Sequence, residues 1–202
     1  MKLPLNTLLI ALALGLALGQ ASPATAADAG ATSAALPGDS LYHLQAGFTD
    51  LHGQSLQWAA LQGRPQLVSM FYGNCSLMCP LILENAKAVQ KQLSPEQRAR
   101  LGVAMITLDP ARDAPAALAE VAERNRTPAD WQYLQPDADD VRAVASVLDV
   151  RYRFREDGSI NHTSVLVLLD AQGRPLARSE VVGAAPDPGF LQQVRAALAQ
   201  TP

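Results

Sequence analysis

Cysteine is scarce in this chain: Cys75 and Cys79 are the only two among 202 residues, so any thiol chemistry rests on a single pair. Basic clusters are missing as well. Lysine and arginine total 16 against 19 aspartates and glutamates, a mildly acidic balance that leaves no footprint for nucleic acid. The apolar run from Leu8 to Leu18 falls short of the roughly 20 residues needed to span a bilayer. No cysteine follows that run closely and no Arg-Arg pair precedes it, which argues against a lipoprotein anchor and against the twin-arginine route. Internal repeats are absent, and Asp137, Asp139 and Asp140 lack the spaced oxygen ligands of a calcium loop.

The N-terminus does carry an export pattern. Lys2, the apolar run and Ala24-Thr25-Ala26 ahead of Ala27 have the form of a secretory signal with a small-x-small cleavage site. The expected organisation is a signal peptide over 1–26, a flexible leader over 27–40 rich in Ala, Ser, Pro and Gly, and one folded domain over 41–202. The protein is expected to be exported, periplasmic in a Gram-negative cell, and tethered to the membrane only if the leader stays uncleaved.

Within the domain, Phe48 to Leu51 and Ser55 to Leu56 flank a turn sequence at Asp50-Leu51-His52-Gly53 and predict a small hairpin. Gln66 to Tyr72 and Val103 to Leu108 are mostly apolar and read as buried central strands. Between them Ile82, Ala86, Val89 and Leu93 follow helical spacing, with Pro80 suited to the first helical position, Cys79 at about the N-cap and Pro95 marking a stop. Asp113 is placed to cap a helix from Ala114 to about Arg124, and Asp139 and Asp140 favour the start of another ending near Leu148. Val165 to Leu169 and Leu176 to Val182 form strands around a turn at Asp170 to Gly173, and a helix from Phe190 to Leu198 closes the chain. Cysteines at the junction of the first central strand and first helix give the order of an α/β, thioredoxin-like fold.

Two thiols four positions apart can bridge, exchange a disulfide or clamp a soft ion. On a regular helical turn their Cα atoms would lie about 6.2 Å apart, within the range that a disulfide tolerates. A helix N-terminus favours thiolate and prepares the sulfurs for either task. His162, just before the Val165 to Leu169 strand, supplies a possible third donor. Two soft sulfurs suit Cu(I), and an imidazole admits Cu(II) as well. Thioredoxin-type reductases instead use a two-residue spacer and a cis-proline before the facing strand, whereas this chain has three spacer residues and no proline between Pro136 and Pro175.

Cys75-x-x-x-Cys79-Pro80, Asp109-Pro110-Ala111-Arg112-Asp113 and His162-Thr163-Ser164 together resemble the Sco/SenC family of copper chaperones over roughly residues 41 to 200. That resemblance implies a thioredoxin-like domain with an inserted hairpin around Tyr152 to Asn161. It also implies copper, as Cu(I) or Cu(II), on Cys75, Cys79 and His162. It further implies delivery to a respiratory copper enzyme, above all the binuclear copper centre of cytochrome c oxidase, with an upstream copper donor as a second partner. Ser76 and Asn161 stand where family members commonly carry proline and aspartate, and neither change removes a ligand. The alternative is an exported thiol–disulfide oxidoreductase in which Cys75 and Cys79 are the redox pair and maintain a client's cysteines; a structural or zinc-bearing domain is a third reading.

Asp109, Arg112 and Asp113 read as a loop salt bridge plus helix cap, and Met78 as a methionine packed in the first helical turn. Arg151, Arg153 and Arg155 alternate along a strand as a charged, protected edge that could also dock an acidic client. His43 and His52 are expected at the surface, Trp58 and Trp131 in the core.

Overall fold

The computed structural model describes residues 35–200. The expected signal peptide and the first part of the expected leader, 27–34, lie outside the described residues. Among the described residues no helix is long and apolar enough to cross a membrane.

A seven-stranded sheet forms the frame. Its strands are β1 (Gly47–Asp50), β2 (Ser55–Gln57), β3 (Gln66–Phe71), β4 (Gly102–Thr107), β5 (Gln132–Pro136), β8 (Leu166–Leu169) and β9 (Pro175–Ser179), in the spatial order β2-β1-β5-β4-β3-β8-β9. The hairpin β6 (Tyr152–Phe154) and β7 (Ile160–His162) stands apart as a two-stranded sheet. The helices are α1 (Met78–Lys91), α2 (Pro95–Arg100), α3 (Pro115–Arg124), α4 (Val141–Val147) and α5 (Pro188–Gln200). Every residue of β3 and β4 is buried, as central strands covered on both faces should be.

Register explains why chemistry collects at one end. β3 and β4 run parallel with Phe71 beside Thr107, so the loops leaving their C-terminal ends, Tyr72 to Leu77 and Leu108 to Ala114, emerge side by side. This edge is where α/β sheets place function. β8 runs antiparallel to β3, and the Ser69 hydroxyl donates to the Val165 carbonyl at 2.6 Å. The chain entering β8 therefore arrives at the same edge and brings the β6–β7 hairpin with it.

The central strands, the first hairpin, the β8–β9 pair and the closing helix form as the sequence predicts. Several boundaries differ. Pro95 does not only stop α1; it opens α2, where Ser94 and Gln97 make a reciprocal capping box whose side-chain oxygens accept from free N–H groups of the helix start. β5 has a mixed polar sequence and is built by pairing with β4 and β1. Trp58 and Trp131 are buried, and the Trp131 indole donates to Gln90 Oε1 at 2.9 Å, which accounts for a glutamine buried on α1. His43 and His52 are exposed.

Candidate metal centre

Leu77, the residue preceding α1, offers no side-chain cap, yet the first N–H groups of a helix need acceptors. Cys75 fills that role. Its sulfur accepts the Cys79 N–H at 3.3 Å, and the Leu77 N–H also points at it. Cys79 is accordingly the second residue of α1, one turn further in than an N-cap, and Pro80 is the third. Cys79 is buried, while Cys75 is half-buried, and both are free thiols.

His162 ends β7 of the hairpin; it does not open the following strand of the main sheet, as its position in sequence suggested. It pairs with Tyr152 across the hairpin, which turns its ring toward the helix start. Its Nε2 lies 3.7 Å from Cys79 Sγ, and its Nδ1 lies 3.1 Å from the Thr163 carbonyl. A carbonyl can only accept, so Nδ1 carries the proton and Nε2 keeps its lone pair facing the sulfur. Tyr72, buried at the end of β3, stands edge-on to the imidazole with ring centroids 5.9 Å apart. Burial, and then a hydrogen bond with Cys75, raises the Tyr72 pKa, so its hydroxyl stays protonated as a donor.

The two sulfurs are electrostatically unequal. A hydrogen bond from Cys79, reinforced by the Cys79 and Leu77 N–H groups of the helix start and outweighing partial burial, pulls the Cys75 thiol down to about 3. The same hydrogen bond, with burial, pushes Cys79 up. One proton is thus shared by a pair whose exposed member is the thiolate. Iodoacetamide is expected to alkylate Cys75 well before Cys79. Because Cys75 remains ionised far below neutrality, its rate should stay nearly flat from pH 8 to pH 5, whereas an ordinary thiol loses about tenfold per pH unit; peptide mapping over a pH series reads this directly.

Among the described residues no three His, Cys, Asp or Glu side chains are drawn into a preformed metal cage. Cys75 and Cys79 share a hydrogen bond instead, and the spacing of Cys79 and His162 fits an ion. With metal–sulfur and metal–nitrogen bonds of about 2.3 and 2.05 Å, a trigonal or tetrahedral site puts sulfur and nitrogen about 3.6–3.8 Å apart. The observed Cys79–His162 separation is 3.7 Å. An open cavity of about 200 Å³ gives access, bordered by Tyr72, Cys75, Leu77, Met78, Asn161 and His162. Met78 stands in the first turn of α1 as expected, but it is not packed away: it is 37% exposed and its neighbour Leu77 is 68% exposed. Arg151, Arg153 and Arg155 are exposed on and beside β6, where Arg155 faces Asp157 at 3.7 Å.

The Asp109–Asp113 loop also departs from expectation. Asp113 does not cap α3, whose N-cap is Ala114. Its buried carboxylate accepts the Gly73 N–H at 2.8 Å and the Thr107 hydroxyl, tying the cysteine loop to the end of β4. Burial outweighs these hydrogen bonds and raises its pKa. Replacing Asp113 by Ala leaves two buried donors unmatched and is expected to cost about 2 kcal/mol, about 4–8 °C in Tm for a domain this size. Asp113→Asn keeps an acceptor and should cost under about 1 kcal/mol. A raised carboxylate stabilises the fold most below its ordinary pKa and loses that contribution as pH rises through the raised value; the asparagine variant should lack this dependence, as thermal melts across pH 3–7 would register. Asp140, likewise without a capping bond in α4, accepts the Gly47 N–H at 2.9 Å.

A family model described as SCO1/SenC matches residues 41–193. Comparison with curated protein sequences gives no match. Among solved structures, copper-bound ScoI of Bradyrhizobium japonicum superposes with a TM-score of 0.64 at 20% identity, covering 79% of this chain and 98% of that one. Copper-bound yeast Sco1 gives 0.64 at 20% identity, with 78% and 88% covered. BsSco, described as a member of the Sco family of cytochrome c oxidase assembly proteins with a disulfide switch, gives 0.64 at 20%, with 76% and 91% covered. At these identities the likeness establishes the thioredoxin-like fold of the Sco structures.

Proposed function

The chain belongs to the SCO1/SenC family, and from that premise we propose that it is an exported copper carrier that binds one ion through Cys75, Cys79 and His162 and passes it to a respiratory copper enzyme. The observation that carries the reading is the Nε2 lone pair of His162 held 3.7 Å from Cys79 Sγ beside the Cys75 thiolate. Thiolates are soft donors that select Cu(I), and imidazole extends the set to Cu(II). The structures of related proteins with copper bound support the same cargo.

Binding requires Cys75 to exchange its N–H partners for the ion and Cys79 to release its proton, so uptake falls as pH falls. A carrier must also let go. Three protein donors leave a coordination position for an acceptor's ligand, and the half-buried Cys75 beside exposed Leu77 and Met78 marks the side from which the acceptor approaches. Stepwise replacement of Cys75, then His162, then Cys79 follows the order of their accessibility. The most fitting acceptor is the binuclear copper centre of cytochrome c oxidase. The signal peptide over 1–26 is proposed to direct export, the leader over 27–40 to serve as a flexible link, and the domain over 41–202 to do the chemistry.

One observation favours a second reading. A thiolate as stable as Cys75 beside a buried thiol is also the arrangement of an attacking and a resolving cysteine, so the protein would reduce a client's disulfide. Mixing the copper-loaded protein with a copper-free binuclear-copper domain of an oxidase subunit separates the two. Appearance of the acceptor's copper absorption with loss of copper from the donor supports the carrier. Loss of the acceptor's disulfide without copper movement, at a rate indifferent to His162→Ala, supports the reductase.

A further inference from the structure

The hairpin that carries His162 has only three residue pairs, Tyr152 with His162, Arg153 with Asn161 and Phe154 with Ile160, and no ladder to the main sheet. An isolated two-stranded hairpin is marginal in water. Its root, where His162 sits, is closed by the Thr163 N–H donating to the Arg151 carbonyl at 2.9 Å, and the pair nearest the turn is held by Ile160, which is buried and makes a backbone hydrogen bond involving Tyr72. Its tip closes on itself through the Arg155 N–H to the Ser159 carbonyl at 2.9 Å and the Gly158 N–H to the Arg155 carbonyl at 3.1 Å, and it is tied to the body of the domain by a residue of the loop after β4. Arg112 Nη2 donates to the Gly158 carbonyl at 2.8 Å, and Gly158 occupies the turn with φ +78°. The Arg112 guanidinium is itself aimed by Asp109, which accepts from its Nε. Asp109 is buried, and its backbone N–H is fixed by the Thr107 hydroxyl at 2.9 Å.

We infer that Asp109 and Arg112 are positioning residues for the metal centre: they clamp the hairpin tip at Gly158 so that His162 is held over the dithiol. This assigns a task to the Asp109–Arg112 pair that a loop salt bridge alone does not explain, because the guanidinium spends its second contact on the element bearing the imidazole and not on its own loop. The clamp acts on the histidine and not on the sulfurs, which are placed by β3 and α1. Its removal should therefore affect Cu(II), which depends on the imidazole, more than Cu(I), which the thiolates satisfy.

The inference rests on the copper reading for one of its two tests and stands without it in the other. In the copper-free protein, Arg112→Ala should speed amide hydrogen exchange at Arg155 and Thr163, whose N–H groups donate to the Ser159 and Arg151 carbonyls across the hairpin, by about tenfold or more while leaving β3 and β4 unchanged, since local opening is read residue by residue. In the copper-loaded protein, Arg112→Ala and Asp109→Asn should each lower Cu(II) affinity about tenfold, the scale of outer-shell changes. They should weaken the imidazole nitrogen coupling in the Cu(II) electron paramagnetic resonance spectrum and shift Cu(I) affinity less than about threefold. Combined with His162→Ala, Arg112→Ala should add nothing, because a positioning residue has nothing left to position. An equal loss in the His162→Ala background, equal losses for both copper states, or unchanged hairpin exchange would overturn the clamp. A wild-type protein that takes up no copper would overturn the carrier reading, and the exchange measurement would still decide the clamp.

Discussion

Cys75→Ser is expected to lower Cu(I) affinity by about a thousandfold or more, equivalent to about 4 kcal/mol. The reasoning starts from donor chemistry: a serine hydroxyl is a hard oxygen that stays protonated at neutral pH, so the site loses both a soft ligand and a negative charge. The substitution should nevertheless leave the fold in place. Cys75 is half-buried, and serine is a better helix-start acceptor than cysteine, so it can keep the Cys79 N–H contact seen at 3.3 Å. The same change should raise the Cys79 thiol's availability to alkylation, because the hydrogen bond that ties its proton to the Cys75 sulfur is the first cause of its raised pKa. Anaerobic competition with a calibrated Cu(I) chelator, paired with a thermal melt, reads both halves. A large affinity loss with an unchanged Tm is the expected result, and an affinity unchanged by the substitution would remove Cys75 from the ligand set.

His162→Ala is expected to separate the two oxidation states. Cu(II) binding should weaken by about a hundredfold or more, while Cu(I), served by two thiolates, should lose about tenfold or less. The imidazole is poised for this role by its neighbour: the Thr163 carbonyl takes the Nδ1 proton at 3.1 Å, which is the outer hydrogen bond that fixes the tautomer of a metal-binding histidine. The alternative roles make different predictions. If His162 only packed against Tyr72, removing it would affect stability and not the copper spectrum. If it acted as a general base for thiol exchange, the alkylation rate of Cys75 would fall. Cu(II) titration followed by the sulfur-to-copper absorption band distinguishes these outcomes, because the band persists with two thiolates but shifts and weakens when the nitrogen is lost.

The parts of this protein legible in its sequence are those where a local signal and the tertiary structure agree. β3 and β4 are apolar throughout because both faces are covered, and the two cysteines sit where a strand gives way to a helix. The position of His162 was legible only as a residue. Three-residue strands such as β6 and β7 carry too little periodicity to place a boundary, so the histidine's membership of the hairpin emerges from its pairing with Tyr152. β5 escaped notice for a related reason: Gln132 and Gln135 break an apolar pattern, and the strand forms because β4 and β1 supply partners on either side.

Asp113 illustrates a different limit. An aspartate just before a helix is an ordinary cap by sequence, but a carboxylate can serve only one set of donors. Here Gly73 and Thr107, which are distant in sequence or lie on the preceding strand, win it. Tyr72 carries no motif that distinguishes a ring beside the candidate site from one in any loop, and Arg112, though part of the Asp109-to-Asp113 motif, reads there as a loop salt bridge. The adjacency of the β3 and β4 ends is the signal that could have found them, since parallel neighbours deliver their following loops to the same place. Met78 reads as packed because its position in the first turn of α1 is apolar by pattern, while the turn itself borders an open cavity.

X-ray absorption at the copper edge of the reduced protein loaded with one equivalent of Cu(II), recorded beside His162→Ala, tests the central claim most directly because it counts donor atoms by element. The account predicts two sulfur neighbours and one imidazole nitrogen in the wild type, with the nitrogen shell lost and both sulfurs retained in the variant. A shell of nitrogen and oxygen alone, or a nitrogen contribution that survives His162→Ala, would contradict it.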